Sequence, residues 1–187
     1  MSGFDYYYRA DDDTYAVMEN LFKVAKMRSP SEAYMTGYRL THEPMSNHFS
    51  GGGGYLISRP ALSVIVDRAL DRHPQCPSYD GWKDDLYIAA CATAVGVRLY
   101  DTVNVNGLSL FYWGNIRTFV KDALHHSKVS GSKTLCRRNG SDAPADEHIS
   151  FHYMGPSMQY IMEFLVYYAW PLGLRNYDYC DNKEQQK

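Results

Sequence analysis

Hydrophobic and polar positions along this chain switch repeatedly between the strand period and the helical period. Tyr6, Tyr7 and Tyr8 are β-forming residues and predict a short strand. From Thr14 to Met27 the apolar positions Val17, Leu21, Val24 and Ala25, with Met18 and Phe22 beside them, keep the helical spacing, so a helix is expected with Asp13 or Thr14 as its cap. Ala33 to Tyr38 reads as another short strand, and Thr41 to Ser50 as a polar loop carrying His42, Pro44 and His48. Ser58 and Pro60 mark the start of a second helix whose inner face is expected to be Leu62, Ile65, Val66, Ala69 and Leu70. After a break at Pro74 to Pro77, Leu86 to Val95 predicts a third helix, and Val97 to Asp101 a strand. The pattern from Leu108 to Ala145 is poor. Glu147 to Tyr153 alternates as a strand, with Ile149, Phe151 and Tyr153 on one face and His148, Ser150 and His152 on the other. Pro156 opens a last helix with Met158, Ile161, Met162, Leu165, Val166 and Ala169 as its apolar positions, and the polar end from Asp181 to Lys187 is expected to fray.

This order of elements predicts an α/β fold, and it places three acids, Asp11, Asp12 and Asp13, at the C-terminal end of the first strand. That edge of an open α/β sheet is where ligands bind. Carboxylates spaced Asp-x-Asp are hard oxygen ligands suited to Mg²⁺ or Mn²⁺ carrying a substrate diphosphate; a solvated acidic turn is the competing reading. An EF-hand fits badly, because its loop wants a glycine where Ala16 stands. Gly51, Gly52, Gly53 and Gly54 lead into Tyr55-Leu56-Ile57. They suggest close backbone approach to a ligand, or else a flexible linker. Asp84 and Asp85 fall in the cap and first turn of the third helix, where the macrodipole stabilises them by about 0.3–1 kcal/mol; the chemical alternative is a general base held at a helix start.

Composition narrows the classes. A chain of 187 residues, 45% hydrophobic and 21% charged with a net charge of −2, can bury a core and is neither disordered nor a strongly basic nucleic-acid binder. Its seventeen tyrosines and three tryptophans suit sugar stacking as well as core and rim packing. The longest apolar stretch, Tyr160 to Trp170, is too short for a membrane span and holds Glu163, and no signal peptide opens the chain. Cys76, Cys91, Cys136 and Cys180 allow three pairings, and Asn139-Gly140-Ser141 is a glycosylation sequon; together they lean toward a secretory compartment.

Ala10-Asp11-Asp12-Asp13-Thr14-Tyr15, Ser50-Gly51-Gly52-Gly53-Gly54-Tyr55, Asp84-Asp85-Leu86 and Ser150-Phe151-His152-Tyr153, in this order and spacing, resemble the core 1 β1,3-galactosyltransferases of the fringe-type inverting glycosyltransferases, family 31. The resemblance runs from about Phe4 to Gly173 and includes the closing Phe164-Leu165-Val166-Tyr167-Tyr168. It implies a type A nucleotide-diphospho-sugar transferase fold, with Mn²⁺, UDP-galactose as donor, and a glycoprotein acceptor bearing N-acetylgalactosamine on Ser or Thr. On the same resemblance Asp11, Asp13 and His152 match the metal site, Asp12 the sugar or ribose contact, and Gly51 to Tyr55 the donor and acceptor cleft with Tyr153 beside it. The family's motif has alanine where Gly53 stands. Asp85 matches the catalytic base of a Glu-Asp pair, with Asp84 in place of the glutamate, and Cys76 with Cys91 matches a cysteine pair flanking it. No motif pairs Cys136 with Cys180, and their pairing stays open.

The family's members are type II Golgi membrane proteins with an anchor, a stem and uridine-holding βα units upstream. The chain is therefore expected to be a C-terminal part lacking the nucleotide-binding half: a partial catalytic domain over 1–175 and a polar tail over 176–187. Membrane attachment would come through an upstream anchor outside this sequence, on the luminal side of the Golgi, and a homodimer is compatible with the resemblance. The family's Phe-His-Pro segment and aromatic acceptor platform are not recognisable here, since Leu110 to Gly114 and Lys121 to Cys136 stand in their places. Two other readings stay open, a truncated inactive paralogue serving as a partner or chaperone, and a non-catalytic carbohydrate-binding module that uses the tyrosines.

Overall fold

The computed structural model describes residues 3–40, 47–76, 83–104, 109–121 and 147–169. Its main sheet has the order β1-β6-β3-β7, built from β1 (Tyr6–Arg9), β3 (Tyr34–Gly37), β6 (Tyr55–Ser58) and β7 (Arg98–Asp101). β6 runs antiparallel to both β1 and β3, while β3 and β7 are parallel. In the register Arg9 stands opposite Tyr55, Gly37 opposite Tyr55, and Gly37 opposite Asp101. The ends of β1, β3 and β7 and the start of β6 thus share one edge, which puts the acids after Arg9 beside the glycines before Tyr55.

A second sheet of order β2-β9-β8 holds three two-residue strands, β2 (Tyr15–Ala16), β8 (Phe111–Tyr112) and β9 (Ser150–Phe151). β4 (Arg39–Leu40) and β5 (His48–Phe49) form an antiparallel pair. His48, expected in a polar loop, is buried in β5; the strand packs against α3 (Asp84–Ala94), which covers it.

Two corrections concern the first helix and the 147–153 strand. α1 (Met18–Ala25) begins four residues later than Thr14, after Val17, with no side-chain cap. Neither Asp13 nor Thr14 caps it, because Thr14 gives its hydroxyl to Gly52 O at 2.7 Å and Tyr15 and Ala16 pair with β9. The alternation over 147–153 persists as a strand only at Ser150–Phe151, where both faces are covered: Ile149, Phe151, His148 and Ser150 are all buried. The chain then turns at Tyr153, whose φ of 53° leaves the ring 59% exposed instead of inside with Ile149 and Phe151.

The second helix starts as its sequence dictates. α2 (Arg59–Val64) has Pro60 in the first turn, and Ser58 Oγ accepts the Ala61 N–H. It passes into a π-turn over Ile65–Ala69, and the wider turn rotates the buried stripe to Ala61, Ile65 and Ala69. Leu62 packs at the edge of the core, Val66 is only half-buried and Leu70 is exposed, contrary to the expected inner face. Met35, Phe49, Ile57, Cys91 and Ala92 complete this core between the main sheet, α2 and α3. A second core packs Leu21, Val24 and Ala25 of α1 on Leu56, Leu110, Phe111 and Ile149.

α4 (116–121) precedes the last helix, α5 (Pro156–Tyr167). Of the apolar positions expected inside α5, Met162 is buried and Met158 packs beside it, whereas Ile161, Leu165 and Val166 are exposed. Among the described residues no helix is long and apolar enough to cross a membrane. Cys136, Asn139, Cys180 and the tail over 176–187 lie outside the described residues.

Cys76 and Cys91 are joined, with Cα atoms 4.3 Å apart, tying the segment after the π-turn to α3. Closing a loop with a sequence separation of 15 should stabilise the fold by about 3 kcal/mol through the unfolded chain. Denaturant titration with and without reductant should show the midpoint fall accordingly; an unchanged midpoint would remove the disulfide from the fold's energetics.

Candidate metal centre and its glycine cradle

The acid loop is fixed at both ends. Thr14 N donates to Asp11 O at 3.1 Å, closing a turn over the acids, and Met154 N donates to Asp13 O at 2.8 Å. Tyr15 lies opposite Phe151 in the antiparallel pair, so His152 stands across from Thr14 and next to Asp13. As a result one ligand atom each from Asp11, Asp13 and His152 lies within 4.8 Å of the other two. His152 Nε2 is 3.2 Å from Asp13 Oδ1 and 3.4 Å from Asp11 Oδ2. Asp12 is exposed to solvent, and among the described residues its carbonyl is engaged by Gln159 Nε2 at 3.1 Å.

The other ring nitrogen decides what this cluster can hold. His152 Nδ1 is 3.2 Å from Trp113 O, which can only accept, so Nδ1 carries a proton. A neutral ring then aims the Nε2 lone pair at two carboxylates, and Asp13 Oδ1 is buried without a hydrogen-bond donor. Three acceptors cannot face one another unaided. Either a proton on Nε2 or a cation must lie among them, and two carboxylates with an imidazole held by a second hydrogen bond suit a divalent ion such as Mn²⁺.

The glycine run explains its own composition. A Cβ on Gly52 would sit 1.9 Å from the His152 ring, one on Gly51 2.2 Å from the Arg9 guanidinium, and one on Gly54 2.2 Å from the Tyr8 hydroxyl. At Gly53, where the resembled motif has alanine, a Cβ would meet Ser50 at an ordinary 3.4 Å. The loop is ordered rather than a linker: Gly54 N donates to Gly51 O at 3.0 Å, Gly53 N to Ser50 Oγ at 3.1 Å, and Ser150 Oγ to Gly53 O. Burial pushes the Tyr8 hydroxyl up to about 12, so it stays neutral beside the loop.

Asp85 faces this loop. Its Oδ2 accepts the Gly51 N–H at 3.0 Å and its Oδ1 accepts Leu86 N at 2.8 Å. Asp84, expected as a cap neighbour, makes no cap bond; its carboxylate, 61% exposed, accepts from Arg9 Nη2. Arg9 Nη1 also pairs with Asp11 at 2.8 Å. The guanidinium lies 5.9 Å from the Tyr55 ring centroid, and that ring is buried below it instead of lining a cleft. Tyr153 stacks on His152 with centroids 3.7 Å apart. Arg9 and the carbonyl of Trp113 were not singled out from the sequence. For Arg9 the signal was its place at a strand end directly before the acids; for Trp113 there was none.

No model of a known protein family matches the chain. The fold is α/β, and the chain has a homologue among the glycosyltransferases. That homologue is the glycoprotein-N-acetylgalactosamine 3-beta-galactosyltransferase 1 of Xenopus laevis, 28% identical over an alignment 174 residues long, gaps included, that covers 88% of this chain. The chain spans about half the length of this relative, 46% of it. The resemblance carried by the four motifs is thus also a similarity along most of the chain.

Gly52→Ala should push the His152 ring off the acids and cost about 1–3 kcal/mol by overpacking, whereas Gly53→Ala should stay within about 0.5 kcal/mol of the parent. Thermal denaturation and the imidazole NMR signals of His152 in the two variants check this; equal effects would contradict the cradle geometry.

Proposed function

We propose that this chain carries the metal-binding and base-bearing part of an inverting, metal-dependent β1,3-galactosyltransferase, which moves galactose from UDP-galactose to N-acetylgalactosamine on Ser or Thr of glycoproteins. The observation that carries the reading is the convergence of Asp11, Asp13 and His152 on one point, in a chain similar to such an enzyme. The type A fold, a partial catalytic domain over 1–175, a homodimer and a Golgi-luminal location anchored by a segment outside this sequence belong to the same proposal. The Cys76–Cys91 bridge supports an oxidising compartment.

In this reading Asp11, Asp13 and His152 hold Mn²⁺, with His152 oriented by the Trp113 carbonyl. A divalent ion held there would supply Lewis-acid neutralisation of the departing diphosphate. Arg9 keeps Asp11 and Asp84 from repelling each other and adds positive charge at the same edge. Gly51 to Gly54 let a ligand approach the backbone, and Asp85, held at the loop by the Gly51 N–H, takes the proton of the acceptor hydroxyl. Each Asp85 oxygen keeps a second lone pair for that role. Inversion needs no covalent protein nucleophile.

Asp13→Asn and His152→Ala should each weaken Mn²⁺ binding at least about tenfold, read by the EPR signal of free Mn²⁺. In the protein completed with the expected upstream half, Asp85→Asn should leave Mn²⁺ binding intact while lowering transfer to a benzyl N-acetylgalactosaminide by about 10²–10⁴. Wild-type Mn²⁺ affinity in the two metal-site variants would end the metal assignment. Transfer that survived Asp85→Asn but not Asp84→Asn would move the base to Asp84.

A further inference from the structure

Beside the acid loop lies a groove of about 420 Å³, lined by Tyr15, Pro156, Gln159, Tyr160 and Glu163. None of these residues has a part in the transfer chemistry above. The volume is within the range of small-ligand sites. Four of the five come from α5 at spacings of three and four, one stripe of a helix, and Tyr15 faces them from β2. The stripe is bound to the acid loop: Gln159 Nε2 donates to Asp12 O and to Met154 O, each at 3.1 Å, and Met154 N reaches Asp13 O. A ligand here would therefore lie next to the metal-binding turn.

The lining selects a ligand class. Tyr15 OH donates to Glu163 Oε2 at 2.9 Å, and both amide hydrogens of Gln159 are committed, so Oε1 of each side chain remains an acceptor among the described residues. Tyr160 presents a ring that is 80% exposed. Among the described residues no cation lines the groove, and Glu19, which accepts the Tyr167 hydroxyl at 2.7 Å one turn further along, adds a second carboxylate. An anionic sugar phosphate or nucleotide would meet like charge. A purely apolar ligand would strip water from Glu163 and Gln159 without replacing its hydrogen bonds. A neutral pyranose satisfies both demands, because its hydroxyls donate and one of its faces is C–H.

We propose that this groove is a subsite for a neutral hexopyranose unit of the acceptor, with Tyr160 stacked on the C–H face of the sugar and Glu163 and Gln159 accepting its hydroxyls. The assignment to the acceptor rests on the galactosyltransferase reading; the sugar-binding chemistry does not.

The test is saturation-transfer NMR on the whole chain with methyl N-acetyl-α-D-galactosaminide as the neutral probe, galactose 1-phosphate as the anionic one and methyl α-D-galactosaminide as the cationic one. The neutral probe should bind and the anionic one should not. Tyr160→Ala, at an exposed position that leaves the core intact, and Glu163→Ala should each weaken the neutral probe about tenfold. No binding of the neutral probe, undiminished binding in Tyr160→Ala, or a preference for either charged probe would overturn the proposal. Mn²⁺ and UDP binding are followed in parallel. Loss of the neutral probe only in the groove variants, in a chain that binds no Mn²⁺, would keep the sugar groove and end the transferase reading instead.

Discussion

The packing of the His152 ring on Gly52 is the constraint on which the candidate site depends. His152 follows β9 in the small sheet, and Gly52 precedes β6 in the main one. The two sheets are stitched at this loop by Thr14 Oγ1 to Gly52 O and Ser150 Oγ to Gly53 O. Any side chain at position 52 would hold the sheets apart by at least a methyl group. The imidazole could then no longer reach acids that stand some 140 positions earlier in the sequence. The glycine run is thus a packing requirement at Gly51, Gly52 and Gly54, and only Gly53 has room for a side chain.

Charge sets the second condition. Asp11, Asp13 and Asp84 gather at one edge, and like charges at such spacing oppose each other. Arg9 bridges Asp11 and Asp84 with separate nitrogens of one guanidinium, which a lysine ammonium could not do in the same fixed geometry. Its planar group lies where a Cβ of Gly51 would otherwise be. The same loop therefore accommodates the cationic residue and the imidazole, and the N–H of Gly51 holds Asp85 beside them.

Much of the main sheet was legible because β-forming residues and breakers mark it: Tyr6 to Tyr8, the Ser58-Arg59-Pro60 helix start and the Val97 to Asp101 strand are all close to their expected places. Where the reading failed, a tertiary partner had outbid a local one. Thr14 is a good cap by type, yet its hydroxyl serves Gly52, and the Tyr15–Ala16 pair fits either period until β9 is known to lie beside it. Tyr153 keeps the alternation on paper, but a positive φ reverses its direction. The site was legible in part. Asp11 and Asp13 were candidates by their Asp-x-Asp spacing and Asp85 by its helix start, but His152 was joined to them only through the resemblance of the motifs, since no periodicity links two-residue strands so far apart in sequence. The ion pairs of Arg9 required coordinates.

The last helix shows how far polar contacts can fix an element that burial does not. Met162 is its one buried side chain among the described residues, while Tyr160, Phe164 and Leu165 remain exposed. Its position is held instead by Gln159 on Asp12, Tyr15 on Glu163 and Tyr167 on Glu19. The bonds of Gln159 and Tyr15 each contribute only about 0.5–1.5 kcal/mol net. Together with that of Tyr167 they span the helix from its first turn to its last, which is enough to set its orientation against the acid loop. Apolar packing along that stripe would have closed the space between α5 and β2. Because hydroxyl, amide and carboxylate groups hold the helix by their tips, the space remains as a groove with acceptors already in place.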